Sequence, residues 1–264
     1  MYPYILPGLF GEHVSSYGLM LGLGVLVCLL VFHYYSKKLE YDNKYIDFIE
    51  WLALISIASG VLSACLFQNL YDYINDPEGF TWSMSLTFMG GLFGGVVVFL
   101  SGYAIFGRGK YKNNVADLLS ISACCITVAH GFGRIGCFLA GCCYGMQTDS
   151  FLGIDFPYGS SVGKVYPIQL YEAIFLFLLF GLFSLLTLKK KNRYCLCYYL
   201  ASYGIWRFFI EYARDDYRGS FIGSITPSQF WSIVMVIASI ILFIYLKYLR
   251  AKIFKISSSE NEEK

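Results

Sequence analysis

Charged residues are scarce in this chain of 264 residues: Asp, Glu, Lys and Arg make up 14% of it, against about a quarter in ordinary soluble domains. Hydrophobic residues reach 57%. The sequence also lacks a basic patch with interleaved aromatic residues outside its apolar stretches, so it does not support a nucleic-acid-binding protein. Internal repeats, linkers and soluble domains are absent as well. These absences indicate a protein built within a membrane.

Seven apolar stretches are each long enough to cross a bilayer. They lie at residues 17–34, 47–67, 84–106, 115–133, 167–188, 194–212 and 230–249. We therefore predict an all-α fold, a polytopic membrane bundle of seven transmembrane helices. One domain is expected over residues 1–256, followed by a short polar cytoplasmic tail at 257–264. The first stretch has no basic segment before it and no small-residue cleavage site after it, so we expect a retained anchor rather than a signal peptide.

Positive charge is divided unevenly between the loops. When the loops are assigned to alternate sides of the membrane, one side receives fifteen of the twenty Lys and Arg residues. These fifteen cluster at residues 37–44, 108–112, 189–193 and 247–264. By the positive-inside rule the N-terminus is predicted to lie outside the cell and the C-terminus in the cytoplasm.

The segment from residue 129 to residue 145 is rich in glycine and carries Arg134. We interpret it as a turn between the fourth and fifth spans, in which a close-packed backbone leaves amide N–H groups free to bind an anion. Arg134 lies near the membrane boundary, where burying a guanidinium costs about 2.5–3.5 kcal/mol at most, a cost usually tolerated for a partner or substrate. The alternative is an interfacial arginine whose side chain reaches water.

A second set of polar residues lies within the sixth span. Tyr203, Arg207 and Glu211 are spaced by four, so they fall along one stripe of a helix. An Arg and a Glu inside a membrane span indicate a functional site. The alternative is a structural ion pair that lines the helical bundle.

Nine cysteines raise the question of metal or redox chemistry. Four of them lie within apolar spans, where we expect them to pack as small hydrophobic residues. The other five lack the CxxC pairing of common zinc and thiol-redox sites, so our expectation is packing, with no metal and no cofactor. They are Cys124, Cys125, Cys137, Cys142 and Cys143. A metal- or thiol-redox membrane protein is the alternative, whereas a transporter is disfavoured because two related halves are not visible.

Five motifs occur in order along the chain. They are SYGLM at residues 16–20, FMGGLFG at 88–94, GRIG at 133–136, YPIQLYE at 166–172 and YGIWRFFIE at 203–211. Together, on seven spans of matching orientation, they resemble the motifs of the prolipoprotein diacylglyceryl transferase family, a family of bacterial seven-span enzymes of the plasma (inner) membrane. The resemblance covers nearly the whole chain.

The resemblance implies a reaction. Phosphatidylglycerol, a membrane lipid, would donate its diacylglyceryl group to the lipobox cysteine thiol in the signal peptide of a prolipoprotein, the first step of lipoprotein maturation. Arg134 and Arg207 would hold the phosphate leaving group, and Glu211 would orient Arg207. The remaining implied substrate-binding residues are Tyr17, Gly90, Gly91, Gly136 and Tyr203.

The chain departs from the family pattern at three positions. Met89 stands where the family often has His, Cys137 where it has Asn, and Cys142 where it has Glu. Because the thiol must become a thiolate, His130 is our candidate base, with a hydrogen-bonded core histidine as the alternative. A paralogous phospholipid-dependent transferase with another acceptor is also kept open.

Overall fold

The computed structural model describes residues 4, 15–111, 115–155, 163–189, 192–214 and 225–262. Within these residues the prediction of an all-α fold is confirmed. The helices are α1 (Ser16–Lys38), α2 (Asn43–Asn75), α3 (Phe88–Gly102), α4 (Val115–Ala140), α5 (Ile168–Leu188), α6 (Cys195–Ile210) and α7 (Pro227–Glu262). A π-helical turn, Tyr103–Gly107, follows α3, and a 3₁₀ turn, Glu211–Ala213, follows α6. The short strands β1 (Ile154–Asp155) and β2 (Lys164–Val165) pair antiparallel.

Six helices of the described part are long and apolar enough to cross a membrane, so the chain is a multi-pass membrane protein. Five of them are α1, α2, α4, α5 and α7, and the sixth, Met89–Gly107, combines α3 with the π-helical turn that follows it. Helix α6, with 16 residues, is not among them. At 1.5 Å per residue, α6 extends about 24 Å, which is less than the ~30 Å hydrocarbon core. The number of spans therefore depends on α6. Helix α7 continues to Glu262 and so includes most of the predicted tail.

The glycine-rich segment is helical from residue 129 through Ala140, which corrects most of one prediction. We expected a turn with free amide groups, but α4 continues to Ala140, and helical amides bond to carbonyls of the preceding turn. The glycines instead serve packing: a Cβ on Gly131 would lie 2.9 Å from the Phe177 ring, and one on Gly136 would lie 3.1 Å from the Tyr17 ring. Close tertiary packing outweighs the low helix propensity of glycine.

The chain divides into two compact units, of which one comprises Ser36–Asn114. Helices α2 and α3 pack closely there, because a Cβ on Gly60 would lie 3.0 Å from the Gly91 carbonyl oxygen and one on Gly90 would lie 2.6 Å from Phe67 Cβ. Ser63 Oγ donates to the Gly90 carbonyl at 2.8 Å. Small residues let helix backbones approach in this way in membranes.

The other unit comprises Met1–Tyr35 and Val115–Lys264. Its buried residues include large apolar side chains such as Ile121, Leu176 and Phe183. Gly204 brings α6 against α7, since a Cβ there would lie 2.9 Å from the Ser232 carbonyl oxygen. The single domain expected over residues 1–256 stays a prediction.

Candidate functional site

Arg134 is the centre of a polar triangle between three helices. Its Nε lies 3.2 Å from Glu172 Oε2 on α5, and its Nη2 donates to the Tyr203 hydroxyl on α6 at 3.2 Å. The same hydroxyl donates to Glu172 Oε1 at 3.2 Å. Glu172 is fully buried, so its negative charge is compensated by the guanidinium rather than by water. The triangle holds Arg134 in one orientation.

A second arginine, Arg207, is buried and is held in a similar way. Arg207 Nη2 lies 2.8 Å from Glu211 Oε2, one helical turn later, and donates to Ser228 Oγ at 2.9 Å. Glu211 in turn accepts a hydrogen bond from Thr226 Oγ1 at 3.0 Å. Tyr203, Arg207 and Glu211 are all buried, which agrees with the predicted stripe. Thr226, just before α7, and Ser228, in its first turn, thus complete the support of the ion pair.

His130 and Tyr203 lie close to both arginines. The His130 ring contacts the Tyr203 ring edge-on at 4.7 Å between centroids, and His130 Nδ1 lies 3.2 Å from the Tyr199 hydroxyl. Arg134 and Arg207 both interact electrostatically with His130. The two positive groups therefore face one region, although each has a carboxylate partner.

Arg207 has capacity for one more ligand. Its Nη1 is buried and has no hydrogen-bond partner among the described residues. Buried donors are bonded in the great majority of cases, so an unpaired guanidinium N–H indicates the position of a bound acceptor. A phosphate oxygen is the acceptor that a guanidinium fork binds best.

Tyr17 lies against the last turns of α4. Its ring is in contact with Gly136, where the absence of a side chain makes room for it, and the residue is 41% exposed. Tyr17 interacts electrostatically with Arg134 and with three cysteines at the carboxyl end of α4, which are Cys137, Cys142 and Cys143. A hydroxyl at this place can reach a ligand bound at Arg134.

Three cysteines meet at the carboxyl end of α4. The Sγ atoms of Cys137, Cys142 and Cys143 lie within 4.8 Å of one another; we call them the cysteine cluster. The helix ends in a Schellman motif, in which Cys142 N–H donates to the Cys137 carbonyl and Gly141 N–H to the Phe138 carbonyl, both at 3.1 Å. Gly141 has φ +73°, as this motif requires.

The loop that carries the cysteine cluster is held by its neighbours. Gln169 Nε2 donates to the Cys142 carbonyl, and Gly145 N–H donates to the Tyr166 carbonyl at 2.9 Å. Hydrogen bonds from the Cys137 and Cys142 thiols, together with the nearby Arg214 guanidinium, lower the pKa of Cys143.

The structure brings most of the predicted site residues together in one unit. They are Tyr17, His130, Arg134, Gly136, Tyr203, Arg207 and Glu211. Gly90 and Gly91 belong to the other unit, where their contacts are with α2, and their role in substrate binding stays a prediction. Our sequence analysis included Glu172 in the motif at residues 166–172 but did not assign it to the site. An acidic residue in the first turns of an otherwise apolar span was the available signal.

Comparison with known proteins gives a consistent result. The family model for prolipoprotein diacylglyceryl transferase matches residues 5–245. The chain is similar to phosphatidylglycerol–prolipoprotein diacylglyceryl transferase 2 of Clostridium perfringens, with 34% identity over 90% of this chain and 93% of the relative. The corresponding transferase of Clostridium tetani is 33% identical over 89% and 94% of the two chains. That of Francisella tularensis is 33% identical over 95% and 97%.

Proposed function

The chain belongs to the prolipoprotein diacylglyceryl transferase family, and from this we propose that it transfers the diacylglyceryl group of phosphatidylglycerol to the lipobox cysteine thiol of prolipoproteins. The reaction is the first step of bacterial lipoprotein maturation. The observation that carries the proposal is the pair of arginines, Arg134 and Arg207, which lie on two helices close to His130 and Tyr203.

The two arginines suit a phosphate leaving group. As the thiolate attacks the glycerol carbon, an S–C bond forms, the C–O bond to phosphate breaks, and its electron pair stays on the phosphate oxygen. Donors fixed around the developing charge stabilise that transition state. Arg207 Nη1 is free to donate, and Arg134 is held for the same task by its triangle. Tyr17 and Tyr203 supply hydroxyls for the donor lipid, and Gly136 lets Tyr17 lie against α4.

Each carboxylate keeps an arginine in place. Glu172 binds Arg134 from α5, and Glu211 binds Arg207 from the end of α6. An isolated buried charge is costly, and the opposite charge of its partner offsets part of that cost. We assign both carboxylates a positioning role, since each contacts a guanidinium rather than the reacting atoms.

The acceptor thiol must lose its proton before it attacks. His130 is the candidate base because its ring contacts Tyr203, whose hydroxyl accepts a hydrogen bond from Arg134. Met89 stands where the family often has a histidine, so the family's imidazole at that position is not available to this chain.

We also propose that the chain crosses the membrane seven times. Helix α6 completes seven spans despite its 16 residues, because the 3₁₀ turn Glu211–Ala213 extends it and Arg207 places its carboxyl end close to the interface. Fifteen of the twenty basic residues then lie on the cytoplasmic side of the inner membrane, with the N-terminus outside. Single reporter thiols in a cysteine-free variant test this arrangement, and labelling near Lys189 from outside intact cells contradicts it.

The activity is tested directly with purified protein. We expect incubation with phosphatidylglycerol and a lipobox peptide to add one diacylglyceryl mass to the peptide and to release glycerol phosphate. The matched peptide with Ser in place of Cys should gain nothing. If the Cys peptide gains no mass under conditions in which a relative is active, the proposal is wrong; a gain on a different acceptor indicates a paralogous transferase.

A further inference from the structure

The cysteine cluster is not explained by packing. Cys142 is exposed, so its side chain contributes little through burial. Cys143 adopts φ 62°, a conformation that side chains other than Asn, Asp and His seldom take. Even so, the loop holds three thiols within 4.8 Å of one another.

We propose that Cys137, Cys142 and Cys143 bind one soft, closed-shell cation of the zinc class through three thiolates, leaving a fourth coordination position open. Three sulfur atoms at ~2.3 Å from Zn²⁺ in tetrahedral geometry lie about 3.8 Å apart. The observed separations, within 4.8 Å, allow this arrangement after small changes in side-chain torsion angles. Cys137 and Cys142, two of the positions at which our sequence analysis noted a departure from the family pattern, both supply ligands.

The surroundings suit the charge of such a site. Three thiolates and one divalent cation carry a net charge of −1. The Arg214 guanidinium lies beside Cys143 and also 3.9 Å from Glu211 Oε2, so it offsets part of this charge. Gln169 anchors the Cys142 carbonyl from α5, and the Schellman motif holds Cys142 over Cys137. Outer-shell contacts of this kind orient the ligands of protein metal sites. The cluster is therefore largely formed before any cation binds.

The open position takes the acceptor thiol, a role that rests on the proposed transferase function. Binding of the lipobox cysteine to the cation releases its proton to water at the exposed side of the cluster and leaves a metal-bound thiolate. That sulfur attacks the glycerol carbon, the S–C bond forms, and the C–O bond breaks with its electron pair on phosphate. Arg134 lies one helical turn before Cys137, so the thiolate and the leaving phosphate are bound side by side.

Metal coordination gives the acceptor a route to a thiolate that does not use His130. A coordinated thiol is activated without a general base, and its proton leaves to water. His130 is the candidate base only for an acceptor thiol that is not coordinated.

The first experiment measures binding without reference to activity. Purified protein should contain about one Zn²⁺ per chain. Exchange to Co²⁺ should give thiolate-to-cobalt charge-transfer absorption and the visible bands of a tetrahedral ion. Cys142→Ser should lower the metal content and the charge-transfer intensity strongly. Cys28→Ser, which removes a cysteine on α1 outside the cluster, should leave both unchanged. Folded wild-type protein that binds neither ion overturns the proposal without any variant.

The second experiment tests the open position. Addition of the lipobox peptide to the Co²⁺ protein should increase the charge-transfer absorption by about one thiolate ligand, from three to four, and the Ser peptide should leave the spectrum unchanged. An unchanged spectrum with the Cys peptide, in a preparation that transfers lipid to it, overturns the role of the cation in thiol binding. A spectral response in a preparation that transfers no lipid supports the site and contradicts the transferase function instead.

Discussion

The α2–α3 pair and the α4–α6 region differ in the residues that they bury. In α2–α3, Gly60, Gly90 and Gly91 let two backbones approach, and the described part of that unit buries no Asp, Glu, Lys or Arg. In α4–α6, Glu172, Arg207 and Glu211 are buried, and Arg134 is paired with Glu172. Charge inside a membrane is expensive, whereas close packing of small residues is favourable. We therefore interpret α2–α3 as a structural helix pair and the α4–α6 region as a functional site.

The largest effect should come from the arginines. Arg134→Lys and Arg207→Lys should each lower kcat by about 100-fold, because lysine keeps the charge but loses the planar two-point grip on phosphate. The lipid-transfer assay on folded protein measures this. Arg108→Lys, at an exposed position of the other unit, is the matched control and should retain activity. Near wild-type turnover would assign either arginine of the α4–α6 region a structural role.

Glu172→Gln should have the next largest effect. The substitution keeps shape but removes the charge that holds Arg134, so we expect roughly a 10- to 100-fold loss of kcat/KM through misplacement of the guanidinium. Tyr203→Phe, which removes only the hydroxyl that bridges the two, should lose less. If Glu172→Gln leaves the kinetics unchanged but lowers the melting temperature, the Arg134–Glu172 ion pair has a structural role only.

Gly90→Val tests the packing of α2 against α3. The added side chain collides with Phe67, so we expect a loss of about 1–3 kcal/mol in the free energy of unfolding with little change in the turnover of folded molecules. Gly22→Val on α1, where an added Cβ meets nothing within 4 Å, is the control. An increase in KM at unchanged stability would instead support the predicted contact of Gly90 with substrate.

Tyr17→Phe should have the smallest effect. Its hydroxyl is proposed to form one hydrogen bond to the donor lipid, and such a bond is worth about 0.5–1.5 kcal/mol. We therefore expect a change of a few-fold in KM for phosphatidylglycerol, measured at saturating peptide. An effect as large as that of the arginine variants would place Tyr17 at the reacting atoms.

Hydropathy and periodicity were sufficient to predict the positions of the helices and one stripe of polar residues. Backbone groups in lipid must be satisfied within each helix, so long apolar runs predicted where the helices occur. The match is close for α5, Ile168–Leu188 against an expected 167–188, whereas α2 and α7 extend beyond the predicted 47–67 and 230–249. The four-residue spacing likewise predicted the buried stripe of Tyr203, Arg207 and Glu211. Both depend on interactions between residues that are near in sequence.

Other features were decided by tertiary structure. Glycine-rich composition suggested a turn in the segment 129–145, but packing against Phe177 and Tyr17 keeps this segment helical through Ala140. The partner of Arg134 is on another helix, and spacing within one helix cannot identify it. The cysteines lack a familiar metal-binding spacing, yet the Schellman motif at Gly141 brings three thiols together. Sequence alone determined the helices because their hydrogen bonds are local; only the tertiary structure determined the site, because its contacts join residues far apart in the chain.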